Sequence, residues 1–319
     1  MQYNLTPITR TRHPSPVTRH KKKVMILEKR IPLQYWLSKI AGDIVIVSVL
    51  AVTLYLFEER FVQFKIPISI GAFMGTAISL LLSFKLGQSY DRWWEARKIW
   101  GAIVNDSRTL VIQLLSFSQS KNNSLVEKMA YRQIAWCYSL SQNLRKQDPT
   151  QNINALISDS EINALKEQKN VPLALLANHS EDLSILHKEQ TINNFQQMQI
   201  DETLLRLCTS MGKAERIKNT IFPKTYRRTL HLFVYVFLIT LSLALTELQG
   251  LVEIPLLILI SIPFFLLERI AFNIQDPFEN KPTDTAMTSI SRTIEINIKQ
   301  LLGKKEIPEP LVSDDFYSL

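Results

Sequence analysis

The sequence predicts an all-α membrane protein with four transmembrane helices and a large helical body inserted between the second and the third. Two observations carry this expectation. Mean hydropathy is +0.02 although 21% of the residues are charged, a pair of averages that fits only a chain whose apolar and charged residues are segregated. Apolar runs do lie apart from most of the charge, at about 44–57, 66–84, 230–246 and 251–267. Residues 87–229 show helical periodicity without alternating β-branched runs, which argues against a sheet. The chain thus divides into a basic arm (1–30), spans one and two (31–86), a cytosolic helical domain (87–229), spans three and four (230–273) and a cytosolic C-terminal segment (274–319).

The arm holds Arg10, Arg12, Arg19, Lys21, Lys22, Lys23, Lys29 and Arg30 against one acid, Glu28, nearly the whole formal net charge of +8. Ahead of a transmembrane run such charge keeps the arm in the cytoplasm. No stacking aromatics or nucleic-acid-binding module accompany it, so nucleic acid is not an expected partner. The first run, from Ile44, covers only about 21 Å at ~1.5 Å per residue, so its helix must begin before Asp43 to cross a core of ~30 Å. Asp43 then belongs at the inner interface, because a carboxylate at mid-membrane costs about 2.5 to 3.5 kcal/mol; an ion-coordinating acid is the other reading. Residues 58–65 read as a short outside loop.

The second span begins with Ile66, Ile70 and Met74 at i, i+4 and i+8. This stripe has two readings, ordinary packing or lipid contact, and a hydrophobic constriction if several copies surround an axis. Ser69, Ala72, Thr76, Ser79 and Ser83 fall on another side, and Gly71 and Gly75 form a GxxxG pair that favours close helix contact. No turn signal then separates the apolar segment from the charged block that follows, so 66–108 reads as one long helical passage leaving the membrane. Glu95 and Lys98 within that block stand at intrahelical pairing distance.

In the body, helical periods lie near 88–118, 124–145, 159–169, 173–187 and 200–219, with a loop at 147–158 around Pro149. Lys224, Arg227 and Arg228 precede the third span and agree with the arm in placing this side inward. A tight turn at 247–250 joins spans three and four. Pro255 and Pro263 are expected to kink the fourth. A last amphipathic stretch covers 289–303.

Motifs of chemistry are scarce. His13, His20, His179, His187 and His231 have no metal-ligand spacing, Cys137 and Cys208 form no CxxC, and no nucleophile elbow, Walker or dinucleotide motif occurs. Neither an enzyme, a metal site nor a cofactor is expected. The residues instead carry a resemblance: IPISIGAFMG at 66–75, SYDRWWEARKIWGAIVNDSR at 89–108, AERIKNTIFPKTY at 214–226 and Asp276-Pro277-Phe278 resemble the bestrophin family in its bacterial branch, in order, over most of residues 30–300. The signature positions are Asp91, Arg92, Trp93, Trp94, Glu95, Arg97, Trp100, Asn105, Asp106 and Arg108, with Asp276, Pro277 and Phe278 after the last span.

The basic charge places both termini on the cytoplasmic side of the inner membrane, and the resemblance implies a homopentamer with one axial pore passing monovalent ions, an anion such as chloride or a cation. By position it implies a pore neck at Ile66, Ile70 and Met74 and a cytosolic aperture within 191–195, for which Ile192 is the candidate. Two departures matter. Met74 stands where many members carry an aromatic, and the acidic run that binds calcium in eukaryotic members is here Asp276 to Asn280 followed by Lys281, too few oxygen ligands for such a clasp. A secondary transporter and a non-conducting membrane scaffold or sensor are the rival classes.

Overall fold

The computed structural model describes residues 33–61, 66–118, 123–220, 223–245 and 251–311. The basic arm and the turn between spans three and four lie outside the described residues. Nine helices follow in order among those described: α1 (Leu33–Phe61), α2 (Ile68–Phe117), α3 (Ser124–Leu144), α4 (Asp159–Lys166), α5 (Val171–Lys188), α6 (Asn194–Asn219), α7 (Lys224–Leu245), α8 (Glu253–Ile274) and α9 (Met287–Leu301). Four of them, α1, α2, α7 and α8, are long and apolar enough to cross a membrane.

Segregation in sequence becomes segregation in space. One apolar cluster joins α1, the first third of α2, α7 and α8 through Ile40, Val47, Ile78, Leu82, Val234, Leu238, Leu257 and Phe265. The other joins the rest of α2 to α3, α5, α6 and α9 through Trp100, Ile103, Leu110, Trp136, Leu140, Leu207 and Ile294. Of the described helices, only α2 runs through both. At 50 residues it is about 75 Å long. No proline interrupts it, and its interior glycines cost only about 1 kcal/mol each against alanine.

Local chemistry sets the ends of the body helices. Asn123, Ser158 and Asn170 accept backbone N–H bonds at the starts of α3, α4 and α5, and Pro172 enters the first turn of α5, where a missing N–H costs nothing. Asn193 and Gln196 form a reciprocal capping box, Asn193 accepting from Gln196 N and Gln196 Oε1 accepting from Asn193 N, both at 2.9 Å. That box starts α6 at Asn194, earlier than the apolar period at 200 indicates.

Three expectations are corrected. Residues 58–61 continue α1 rather than forming a loop, because a charged end continues a helix as readily as it leaves one. Pro255 sits in the first turn of α8, leaving Pro263 as the interior proline. Ile66 precedes α2 and is not helical, because Pro67 holds the N-cap position in extended backbone.

The body carries a buried ionic node. Arg132, with 2% of its side chain exposed, donates to Glu161 of α4 at 2.6 Å and to Asp182 of α5 at 2.5 Å. Those carboxylates hold its guanidinium charged against the opposing pull of burial. Removing one partner of such a node typically costs about 3–5 kcal/mol.

Candidate functional site

The segment around the start of α2 is built by a proline and two glycines. Pro67 accepts the N–H of Ile70 at 2.9 Å and opens the first turn. Gly71 faces Leu241 and Ala244 of α7, and a Cβ built on Gly75 would lie 3.0 Å from the Phe237 ring. The GxxxG pair therefore seats α2 against α7, as its spacing indicates. That seating fixes the rotation of the helix. Ile70 is 46% exposed, Ile66 is half-buried, and Met74 is half-buried against the apolar cluster of the spans. Ser69, Ala72, Thr76, Ser79 and Ser83 are all exposed, a band of small and hydroxyl side chains that this chain leaves uncovered. Thr76 partly satisfies its hydroxyl by donating to Ala72 O at 2.9 Å.

The signature block is the anchor that carries α2 from one cluster into the other. Lys85 is fully buried and donates to Gln275 at 2.5 Å, with its ammonium 4.9 Å from the centre of the Phe272 ring. Arg92 donates to the carbonyls of Ile217 and Thr220, the latter at 2.7 Å, and pairs with Asp276 at 3.5 Å. It thereby satisfies backbone carbonyls that the end of α6 leaves without intrahelical donors. The indole N–H of Trp93 donates to Thr283 O at 3.0 Å. Trp94 is exposed and stacks on Tyr90 at 6.5 Å. Glu95 and Lys98 pair at 2.6 Å, as their spacing indicates, and Trp100 is entirely buried. Further along, Asp106 receives Arg206 at 2.9 Å and Arg108 donates twice to Asn297, at 2.9 and 2.6 Å. Asp91 and Asn105 are exposed and Arg97 is half-buried. Arg92, Trp93, Asp106 and Arg108 thus bolt α2 to α6, α9 and the segment after α8.

The Asp-Pro-Phe turn is the other half of that bolt. Asp276 meets Arg92, Pro277 O accepts from Thr285 N at 3.1 Å, and Phe278 is buried in the core of the body. Lys218 donates to Phe278 O at 3.0 Å and to Glu279 at 2.8 Å, which holds the Glu279 carboxyl below its usual range. Burial pushes the Asp284 carboxyl up to about 6, while one of its oxygens accepts from Lys281 N at 3.1 Å. Among the described residues no group of three His, Cys, Asp or Glu is placed to hold a metal ion.

Ile192, the aperture candidate, is 3% exposed and belongs to the core of the body. A side chain used in that way has no free face to offer an axis. Three residues on, Phe195 at the start of α6 is 83% exposed, with Met198 and Leu205 exposed along the same helix. Periodicity could not distinguish the two, because 191–195 is a turn into a capping box.

A cluster near the starts of α1 and α7 and the end of α8 escaped the sequence reading. Asp43 accepts from Arg269 at 3.3 Å and from Tyr235 at 3.4 Å, and His231 meets Glu268 at 2.9 Å. Asp43 and Arg269 are 226 positions apart, so no local pattern joins them; the only signal was a charged residue at the edge of each apolar run.

Comparison with known proteins agrees with this architecture. The sequence pattern of the Bacterial/Fungal Bestrophin protein family matches residues 16–300. A voltage-dependent anion channel-forming protein of Ralstonia nicotianae is 28% identical over 244 residues, 76% of this chain and 78% of that protein. One of Escherichia coli (strain K12) is 25% identical over 301 residues, 90% of this chain and 98% of that protein. The crystal structure of a bacterial bestrophin homologue from Klebsiella pneumoniae superposes with a TM-score of 0.77 at 24% identity, covering 86% of this chain and 100% of the other.

Proposed function

The chain belongs to the Bacterial/Fungal Bestrophin family, and from that premise we propose that it is a passive ion channel whose pore is formed by several copies of α2 around one axis. The supporting observation is the exposed surface of α2. Ile70 and the band from Ser69 to Ser83 are uncovered on a helix whose other side is seated on α7. Hydroxyl groups facing hydrocarbon are poorly satisfied, whereas a neighbouring copy or a water-filled path would accept them. The family resemblance supports five copies and a neck at Ile66, Ile70 and Met74.

Rings of apolar side chains block ions by dewetting and set no sign of charge. The ion is monovalent, and anions are the first candidates because the relatives from Ralstonia and Escherichia are named as forming voltage-dependent anion channels. The second narrowing is assigned to Phe195, the exposed apolar residue of 191–195, in place of Ile192. The positive charge of the basic arm, Arg227 and Arg228 supports a cytoplasmic body and cytoplasmic termini at the inner membrane.

A planar bilayer holding the purified protein under a potassium chloride gradient tests this. A macroscopic current reversing near the chloride equilibrium potential is expected. Reversal at the potassium potential would transfer the path to cations, and absence of current would remove the channel reading.

A further inference from the structure

Residues of α1, α7 and α8 line an open cavity of about 430 Å³ away from the exposed face of α2. Its charges are unevenly compensated. Asp43 is paired with Arg269 and Glu268 with His231, so both carboxylates are already engaged. Arg227 and Arg228, in the first two turns of α7, line the same cavity, and among the described residues neither forms an ion pair. The Arg227 guanidinium lies 5.0 Å over the Phe272 ring, a contact that orients a cation without neutralising it. Two adjacent guanidiniums offer forked N–H donors matched to the oxygens of a phosphate.

What lies beside the cavity separates a lipid from a free anion. Within two turns along the same helices, Val45, Ile46 and Val49 of α1 and Leu232, Phe233 and Val236 of α7 are exposed. A free phosphate has no use for that apolar surface, whereas acyl chains attached to a phosphate would cover it. Basic pockets between spans at the cytoplasmic edge of a membrane suit anionic headgroups for this reason.

We propose that this cavity binds the phosphate of an anionic lipid in the inner leaflet, with Arg227 and Arg228 as the gripping residues. The proposal rests on the membrane orientation given above but not on conduction. Native mass spectrometry of the full-length protein, offered phosphatidylglycerol or phosphatidylcholine in detergent, measures retention directly. A parallel thermal-unfolding arm adds inorganic phosphate alone.

The wild type is expected to retain phosphatidylglycerol in preference to phosphatidylcholine. The Arg227→Gln/Arg228→Gln variant loses that preference by roughly tenfold or more, and inorganic phosphate leaves the melting temperature unchanged. Arg228→Gln alone, a change at an exposed side chain, gives a smaller loss in the same direction and guards against misfolding of the double variant. Undiminished phosphatidylglycerol retention by both variants, or stabilisation by inorganic phosphate equal to that by the lipid, overturns the assignment. An Ile70→Ala change is expected to alter current and leave lipid retention as it was, so failure of the pore and failure of the lipid site are read separately.

Discussion

At the scale of residues, the informative groups are those whose partners lie far away in sequence. Asp284 shows what such placement does to a carboxyl. Burial raises it from 3.8 to about 6, so the folded chain holds its proton more tightly than the unfolded chain does. Its contribution to stability is complete below about pH 4 and is lost as pH rises through about 6. Asp284→Asn keeps an oxygen for Lys281 N and removes the charge. The wild type's loss of melting temperature from this group between pH 4 and 6.5 should flatten in the variant, which at pH 7.5 should melt no lower than the wild type; an unchanged pH slope would remove Asp284 as the cause. The Glu95–Lys98 pair was legible because both ends lie on one turn. The carbonyls that Arg92 caps were not, because the end of α6 reaches α2 only after the whole body has folded between them.

Among elements, α2 carries the argument, and its glycines do unlike things. A Cβ on Gly75 meets the Phe237 ring at 3.0 Å, whereas one on Gly87 meets nothing within 4 Å. Gly75→Val should therefore cost about 1–3 kcal/mol by overpacking the α2–α7 seam. Gly87→Ala should stabilise by up to about 1 kcal/mol through helix propensity. Thermal unfolding in detergent compares them, and a Gly75→Val protein as stable as the wild type would mean that the seam is not tightly packed. The long uninterrupted helix was legible from the lack of any breaker between 68 and 117. Helix ends were less so: the capping box at Asn193 is a short polar signal that an apolar period overlooks, and Pro67 moved the start of α2 past Ile66.

For the whole molecule, hydropathy alone separates two apolar clusters, and the structure adds how they are joined. One helix passes through both, and the Arg92–Asp276 pair, the Trp93–Thr283 bond and the buried Phe278 lock its midpoint to the segment that follows α8. The body and the start of α2 are therefore joined by a stiff element rather than a loop. In the proposed channel the exposed faces of α2 and α6 meet other copies, and no pattern within one chain states how many copies there are. The proposed number, five, is what the family resemblance implies; the residues supplied the faces.

The measurement that bears most directly on the proposed path is single-channel conductance in a planar bilayer for the wild type and for a variant carrying Ile66→Ala, Ile70→Ala and Met74→Ala. Shrinking three apolar rings widens and wets the constriction, so conductance or open probability should rise by roughly severalfold, while Phe195→Ala should shift ion preference with less effect on opening. Unchanged conductance and open probability in the triple variant, in a protein that still folds and assembles, would contradict the assignment of the neck.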